Sequence, residues 1–214
     1  MKRLFLFLIL TLALGIGAQA QIPADVTAVM DKCRQAMDNS AGMEYTSAVK
    51  VAVGPVTLMK MDFVIGNKGN LERATMKTKI MGQEIIYESG FDGKESWEVK
   101  HSSDGDTITI GNTKKKGSND GEVDLDLDKM YRKAKMKNKG DYYEITFSDP
   151  VDKGNEAKKM TVKISSKTYR LQELKTSAHG GKMTMTFSKY RIGLKDDYFK
   201  APRAKYPGAV VVKK

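Results

Sequence analysis

The chain has 214 residues, 40 % of them hydrophobic, with 37 basic and 26 acidic side chains and a formal net charge of +11. That length suits one domain, and that apolar share excludes a disordered chain. A single cysteine excludes a disulfide scaffold.

The first twenty residues read as a cleaved export leader. Lys2 and Arg3 precede an apolar run from Leu4 to Ile16, and Ala18-Gln19-Ala20 places small residues where a signal peptidase cuts. Cleavage is expected after Ala20, leaving 21–214 as a single domain in the periplasm. The apolar run is short of the ~20 residues that a membrane span needs. No cysteine stands at the expected cleavage site, so no lipid anchor is expected on the chain itself. Export disfavours nucleic acid as the partner of the basic charge. Lysines spread along solvent-facing strand positions account for much of it, as a solubility device.

Asp25 to Asn39 carries Val26, Val29, Met30, Cys33 and Met37 at helical spacing, with Asp25 as the expected N-cap. Cys33 falls on the apolar stripe and is expected to be a buried, inert thiol. Strands follow. Met43 to Val53 alternates and breaks at Gly54-Pro55; Met59, Met61, Phe63 and Ile65 share one parity; Ala74, Met76, Thr78 and Ile80 share the next. Ile85 and Tyr87 then lead to the turn Phe91-Asp92-Gly93-Lys94, after which Trp97 and Val99 share a parity. Thr107 to Ile110 is another short strand, and 111–121 is a polar, glycine-rich loop. The segment 123–135 is mixed: Leu125, Leu127, Met130 and Tyr131 suit a short helix or a loosely packed lid.

Strands resume at Tyr143–Phe147, Met160–Ile164, Tyr169–Thr176 and Met183–Phe187. Tyr190 and Ile192 switch parity relative to Phe187, which predicts a β-bulge near Ser188-Lys189. A short turn over Leu194–Phe199 and an apolar run over Ala209–Val212 close the chain.

The fold class is therefore mainly β (α+β): a curved antiparallel half-barrel of about ten strands, an N-terminal helix, and a helical or loop lid over the concave face. A helix of ~15 residues is roughly 22 Å long. Strands lie ~4.8 Å apart, so it crosses only four or five of them. The rest of the apolar face needs the 111–141 segment, a partner or a ligand. The expected lining of such a cavity is Met59, Met61, Phe63, Ile65, Met76, Ile85, Tyr87, Trp97, Val99, Met183, Met185 and Phe187. Methionine repacks readily and suits varied acyl chains.

Other chemistry is not advertised. Asp124-Leu125-Asp126-Leu127-Asp128 starts like a calcium loop but has Lys129 and Lys135 where Gly and an acid are needed, so it reads as a solvated acidic face. The Met-x-Met pairs point inward without a nearby His or Cys, which argues against copper. No phosphate loop, catalytic triad or metal spacing is present, so neither enzyme activity nor a cofactor or metal is expected.

In order along the chain, several motifs resemble the LolA-like periplasmic lipoprotein carriers. They are Asp92-Gly93-Lys94-Glu95-Ser96-Trp97, then Val162-Lys163-Ile164 with Lys167-Thr168 and Leu171. Met183-Thr184-Met185-Thr186-Phe187-Ser188-Lys189-Tyr190 follows, then Leu194 to Phe199 with Pro202. The resemblance implies a half-barrel closed by a helical lid, with a hydrophobic cavity that holds the acyl chains of lipoproteins. A monomer is expected, with lipoprotein-sorting components of the inner or outer membrane as further partners. The family's basic, proline-containing edge after the strand matching Met59–Ile65 is replaced here by Gly66-Asn67-Lys68-Gly69. Arg73 fits only a later basic position found in broader relatives. No lid-closing residue is carried over. The rival reading is an interaction module with a filled core that works through its basic outer face.

Overall fold

The computed structural model describes residues 22–38, 40–80, 83–101, 105–111, 125–154, 157–178 and 180–213. The expected leader at 1–20 and most of the loop at 111–121 lie outside the described residues. So does His179.

The alternating segments form one open, curved sheet of twelve strands. The first meander is β1 (Met43–Val53), β2 (Val56–Lys68), β3 (Leu71–Ile80), β4 (Gln83–Phe91), β5 (Ser96–Lys100) and β6 (Thr107–Gly111). The second is β7 (Tyr131–Asn138), β8 (Tyr142–Pro150), β9 (Lys159–Ser165), β10 (Leu171–Ala178) and β11 (Gly181–Ile192). They join through antiparallel pairing of β1 with β11. The last strand, β12 (Val210–Lys213), pairs in parallel with β6 at the opposite edge.

Two strands enlarge the expected sheet. The mixed segment at 123–135 gives only one helical turn, α2 (Leu127–Met130), before it becomes β7. The run at Ala209–Val212 becomes β12. Both are edge strands, whose weak alternation reflects packing on fewer neighbours.

Helix α1 (Ala24–Ala36) begins one residue before Asp25, which sits inside its first turn. Val26, Val29, Met30 and Cys33 are buried against Met43, Tyr45, Ile65, Phe147, Val162, Leu171 and Phe187. This side of the sheet is called the helix face. Cys33 is fully buried, and burial pushes its thiol up to about 12, as befits an inert side chain. Arg34 ties α1 to the α2 turn through Asp128 at 2.8 Å and the Leu125 carbonyl at 3.1 Å. Asp128 is thus a nearly buried clamp on α1, and Asp126 keeps the solvated character expected of the acidic run; Asp124 lies outside the described residues.

The expected bulge is present. The β1–β11 register shifts between Glu44 and Thr46, and Lys189 has φ 54°. The Asp92-Gly93-Lys94 turn is also as expected: Gly93 has φ 94°, and the Asp92 carboxylate accepts the N–H groups of Lys94 and Glu95 at 2.9 and 2.8 Å.

Candidate functional site

The cross-strand register decides which expected lining residues meet. On the helix face one row runs Leu174–Met185–Val49–Met61–Thr78–Ile85. The next runs Phe187–Ser47–Phe63–Met76–Tyr87, and Val51 brings Met59 and Met183 together above them. Ten of the expected residues therefore share one face.

Their exposure changes steadily along it. Ile65 and Phe187 are core beneath α1, at 4 % and 5 % exposed. Met61, Phe63, Met76, Met183 and Met185 are half-buried. Met59, Ile85 and Tyr87 are 48 %, 42 % and 38 % exposed. Helix α1 shares one core with β7–β11, β1 and the Ile65 end of β2, so the apolar rows emerge from it as they cross the rest of β2, β3 and β4.

The β2–β3 ladder stops at Met61 and Thr78, where the Thr78 hydroxyl donates to the Lys60 carbonyl at 2.9 Å. Beyond that point lies an open groove of 940 Å³ lined by Thr57–Asp62, Met76–Lys79 and Glu84. Met59, Met61 and Met76 line it from the helix face, and Leu58, Lys60, Asp62, Lys77, Lys79 and Glu84 line it from the opposite parity. Such a volume is in the range of sites for drug-sized ligands.

Trp97 and Val99 are corrections. They do share a parity, but Gly90 lies opposite Trp97 and Glu88 opposite Val99, so both point away from Tyr87 and Ile85. They form a second core on the outer face with Ile108 and Ile110, packed against Ala201, Tyr206 and Ala209 of the C-terminal tail. The Trp97 indole N–H donates to the Phe199 carbonyl at 2.7 Å. Gly90 makes room for the ring: a Cβ there would stand 2.5 Å from it.

Beside this core is a buried charge cluster that the sequence did not reveal. Glu88 is fully buried. It accepts a hydrogen bond from Tyr206 at 2.6 Å, another from Lys205, and faces Arg73 at 3.3 Å. Arg73 also donates to the Tyr198 carbonyl at 3.0 Å and lies over the Trp97 and Tyr198 rings. Arg73 thus straps the tail to the outer face. Its sequence signals were a basic residue off the apolar parity of β3 and a match to a later basic position found in broader relatives of the LolA-like carriers.

Ser47 is the polar exception on the helix face. It is fully buried between Phe63 and Phe187, and its hydroxyl has no hydrogen-bond partner among the described residues. Removing an unsatisfied buried hydroxyl relieves its desolvation cost. Ser47→Ala is expected to leave stability unchanged or raise it by up to about 1 kcal/mol, read as the urea midpoint. A loss above that size would show that the hydroxyl has a partner in solution.

Among the described residues there is no group of three or more acidic, His or Cys side chains placed to hold a metal. None of their helices is long and apolar enough to cross a membrane.

No family model and no curated protein matches the sequence. Solved structures do. An uncharacterized conserved protein from Thermus thermophilus superposes with a TM-score of 0.50 at 11 % identity, covering 89 % of this chain and 99 % of its own. LprF from Mycobacterium bovis superposes with a TM-score of 0.50 at 10 % identity, covering 84 % and 98 %. A LolA superfamily protein, NE2245 from Nitrosomonas europaea, reaches a TM-score of 0.36 at 10 % identity over 82 % and 97 %, and that superposition carries no argument of its own. What is shared at such identities is the fold: one open, curved sheet wrapped around an N-terminal helix. In fold, then, the chain is an open, curved half-barrel similar to those of the Thermus thermophilus protein and LprF.

Proposed function

We propose that the protein is an exported, non-catalytic carrier or binding protein that holds lipid, or the acyl chains of lipoproteins, on the uncovered part of its helix face. One observation carries this reading. The apolar rows continue from the core beneath α1 into the open groove and stay exposed at Met59, Ile85 and Tyr87. Contiguous apolar surface of this kind favours an apolar occupant, and each buried methylene contributes ~0.8 kcal/mol. The helix-face lining of the groove is rich in methionine, which adapts to chains of different length. The leader-like segment at 1–20 supports export. The shared fold is compatible with this role and names no cargo.

The test is displacement of a fluorescent fatty-acid analogue, together with native mass spectrometry of protein recovered from cells. Saturable uptake is expected. Met76→Glu places a charge among the apolar lining residues and is expected to weaken uptake more than tenfold, since losing two methylene contacts alone removes ~1.6 kcal/mol. Absence of uptake by the wild-type chain, with no co-purifying lipid, would end the proposal.

A further inference from the structure

The outer face carries a second feature, independent of what fills the groove. Above the tail-covered region, one cross-strand row runs Lys135–Thr146–Thr161–Lys175–Thr184–Lys50–Lys60 from β7 to β2. At ~4.8 Å per strand it is about 29 Å long. The adjacent row toward the rim holds Lys133–Ser148–Lys159 and Ser177–Lys182–Ala52. All of these lysines are exposed, and neither row contains a carboxylate. Same-face rows are ~7 Å apart, within a Debye length of about 8 Å, so their fields add.

The row below shows that this is not simply how the sheet is decorated. It runs Lys137–Glu144–Lys163–Glu173–Thr186–Ala48–Asp62–Lys77, with signs interspersed. Its Glu173 neutralises Lys163 at 2.9 Å and reaches up to Lys175 at 2.8 Å. Asp149 reaches Lys133 at 3.2 Å. Lys50, Lys60, Lys135, Lys159 and Lys182 form no ion pair among the described residues. Lys50 and Lys60 are direct cross-strand partners, an arrangement that costs stability. A solubility role does not require opposed like charges, whereas attraction to a fixed anionic surface benefits from them.

The rim just beyond is apolar. Lys50 and Lys60 flank the end of the β1–β2 hairpin, where Val53 pairs with Val56 across Gly54-Pro55, and both valines are about half exposed, at 46 % and 57 %. The groove opens at the same end, with Lys60 on its wall. Basic side chains around an exposed apolar tip fit headgroups around an interfacial hydrocarbon layer.

We propose that this rim docks on an anionic phospholipid bilayer. The lysine rows contact the headgroups, the Val53–Val56 tip enters the interface, and the groove is held at the membrane surface.

The experiment is flotation of the full chain with phosphatidylglycerol-containing vesicles, with pure phosphatidylcholine vesicles and with polyglutamate-coated beads, at low and high salt. Binding to the anionic vesicles alone, lost as salt rises, is expected. Lys50→Glu is the decisive variant. It turns an opposed like-charge pair into an attractive one, so its melting temperature is expected to be equal or higher. Its vesicle affinity is expected to fall roughly tenfold or more, because each basic residue near such a surface matters severalfold. A Lys175→Gln/Lys182→Gln pair, distant from the groove, is expected to act in the same direction. Equal binding to neutral vesicles, no binding to either, unchanged affinity in these variants, or capture by polyglutamate without vesicle binding would overturn the proposal. Fatty-acid uptake is measured without vesicles, so failure of either proposal is visible separately.

Discussion

Trp97→Ala is expected to destabilise the protein by about 3–5 kcal/mol, the usual loss for truncating a buried Trp or Phe. Trp97 is 3 % exposed, and it is the hub between β4, β5 and the tail. Removing the ring opens a void over Gly90, orphans the Phe199 carbonyl, and takes away the surface on which Arg73 lies. The tail should then leave the sheet before the rest unfolds, because β12 is a four-residue edge strand whose residues are exposed. Urea denaturation measures the loss, and limited proteolysis reads the tail. Trp97→Phe keeps most of the ring volume and should lose much less, though it also removes the indole N–H. Because Trp97 lies on the outer face, this milder variant should keep fatty-acid uptake. A loss below about 1 kcal/mol for Trp97→Ala, with the tail still protected, would contradict the second core.

Glu88→Gln is expected to cost about 2 kcal/mol at neutral pH, the scale of hydrogen bonds to a charged group. The effect should fade in acid. Burial by itself raises the Glu88 carboxyl, but the hydrogen bonds from Lys205 and Tyr206 and the charges of Lys205 and Arg73 outweigh it, and hold it below its ordinary 4.5. A folded-state value below the unfolded one gives stability that is present above the unfolded value and lost as pH falls through the folded one. The wild type should therefore lose stability as pH drops below about 4.5, while Glu88→Gln, which carries no titrating carboxyl there, should lose less. The curves should converge. Lys205 is half exposed, so part of its pairing is screened by solvent. A constant gap between the two proteins from neutral pH down to well below the ordinary carboxylate value would show that Glu88 acts by shape and not by charge.

How far the sequence could be read is clearest at three places. Met183–Phe187 alternates strictly and Met59–Ile65 does so but for Val64, so each strand's apolar side was legible residue by residue. The bulge at Lys189 was legible too, because an extra residue reverses parity and the reversal is written in Phe187 and Tyr190. Trp97 and Val99 were not. Ile85, Ile86 and Tyr87 are apolar at both parities, so β4 does not announce which side faces α1. The Asp92–Lys94 turn then fixes the β4–β5 register by backbone geometry, and it sets Trp97 opposite Gly90.

The sequence by itself determined the β-rich class, the helix and its buried face, the turn chemistry, and the methionine-lined strands, because each rests on contacts within a few residues or on the short periods of strand and helix. Only the tertiary structure decided what covers each face. The tail returns from residues 194–213 to bury Trp97 and Glu88, more than a hundred residues distant for Trp97 and Phe199. Helix α1 stops short of β3, β4 and the Met59 end of β2, and leaves Met59, Ile85 and Tyr87 open. The lysines of separate strands fall into one acid-free row because register, a property of pairs of strands, aligns them. Alternation tells each strand that it has two sides; only the assembled sheet decides which side meets the core, the tail or the solvent.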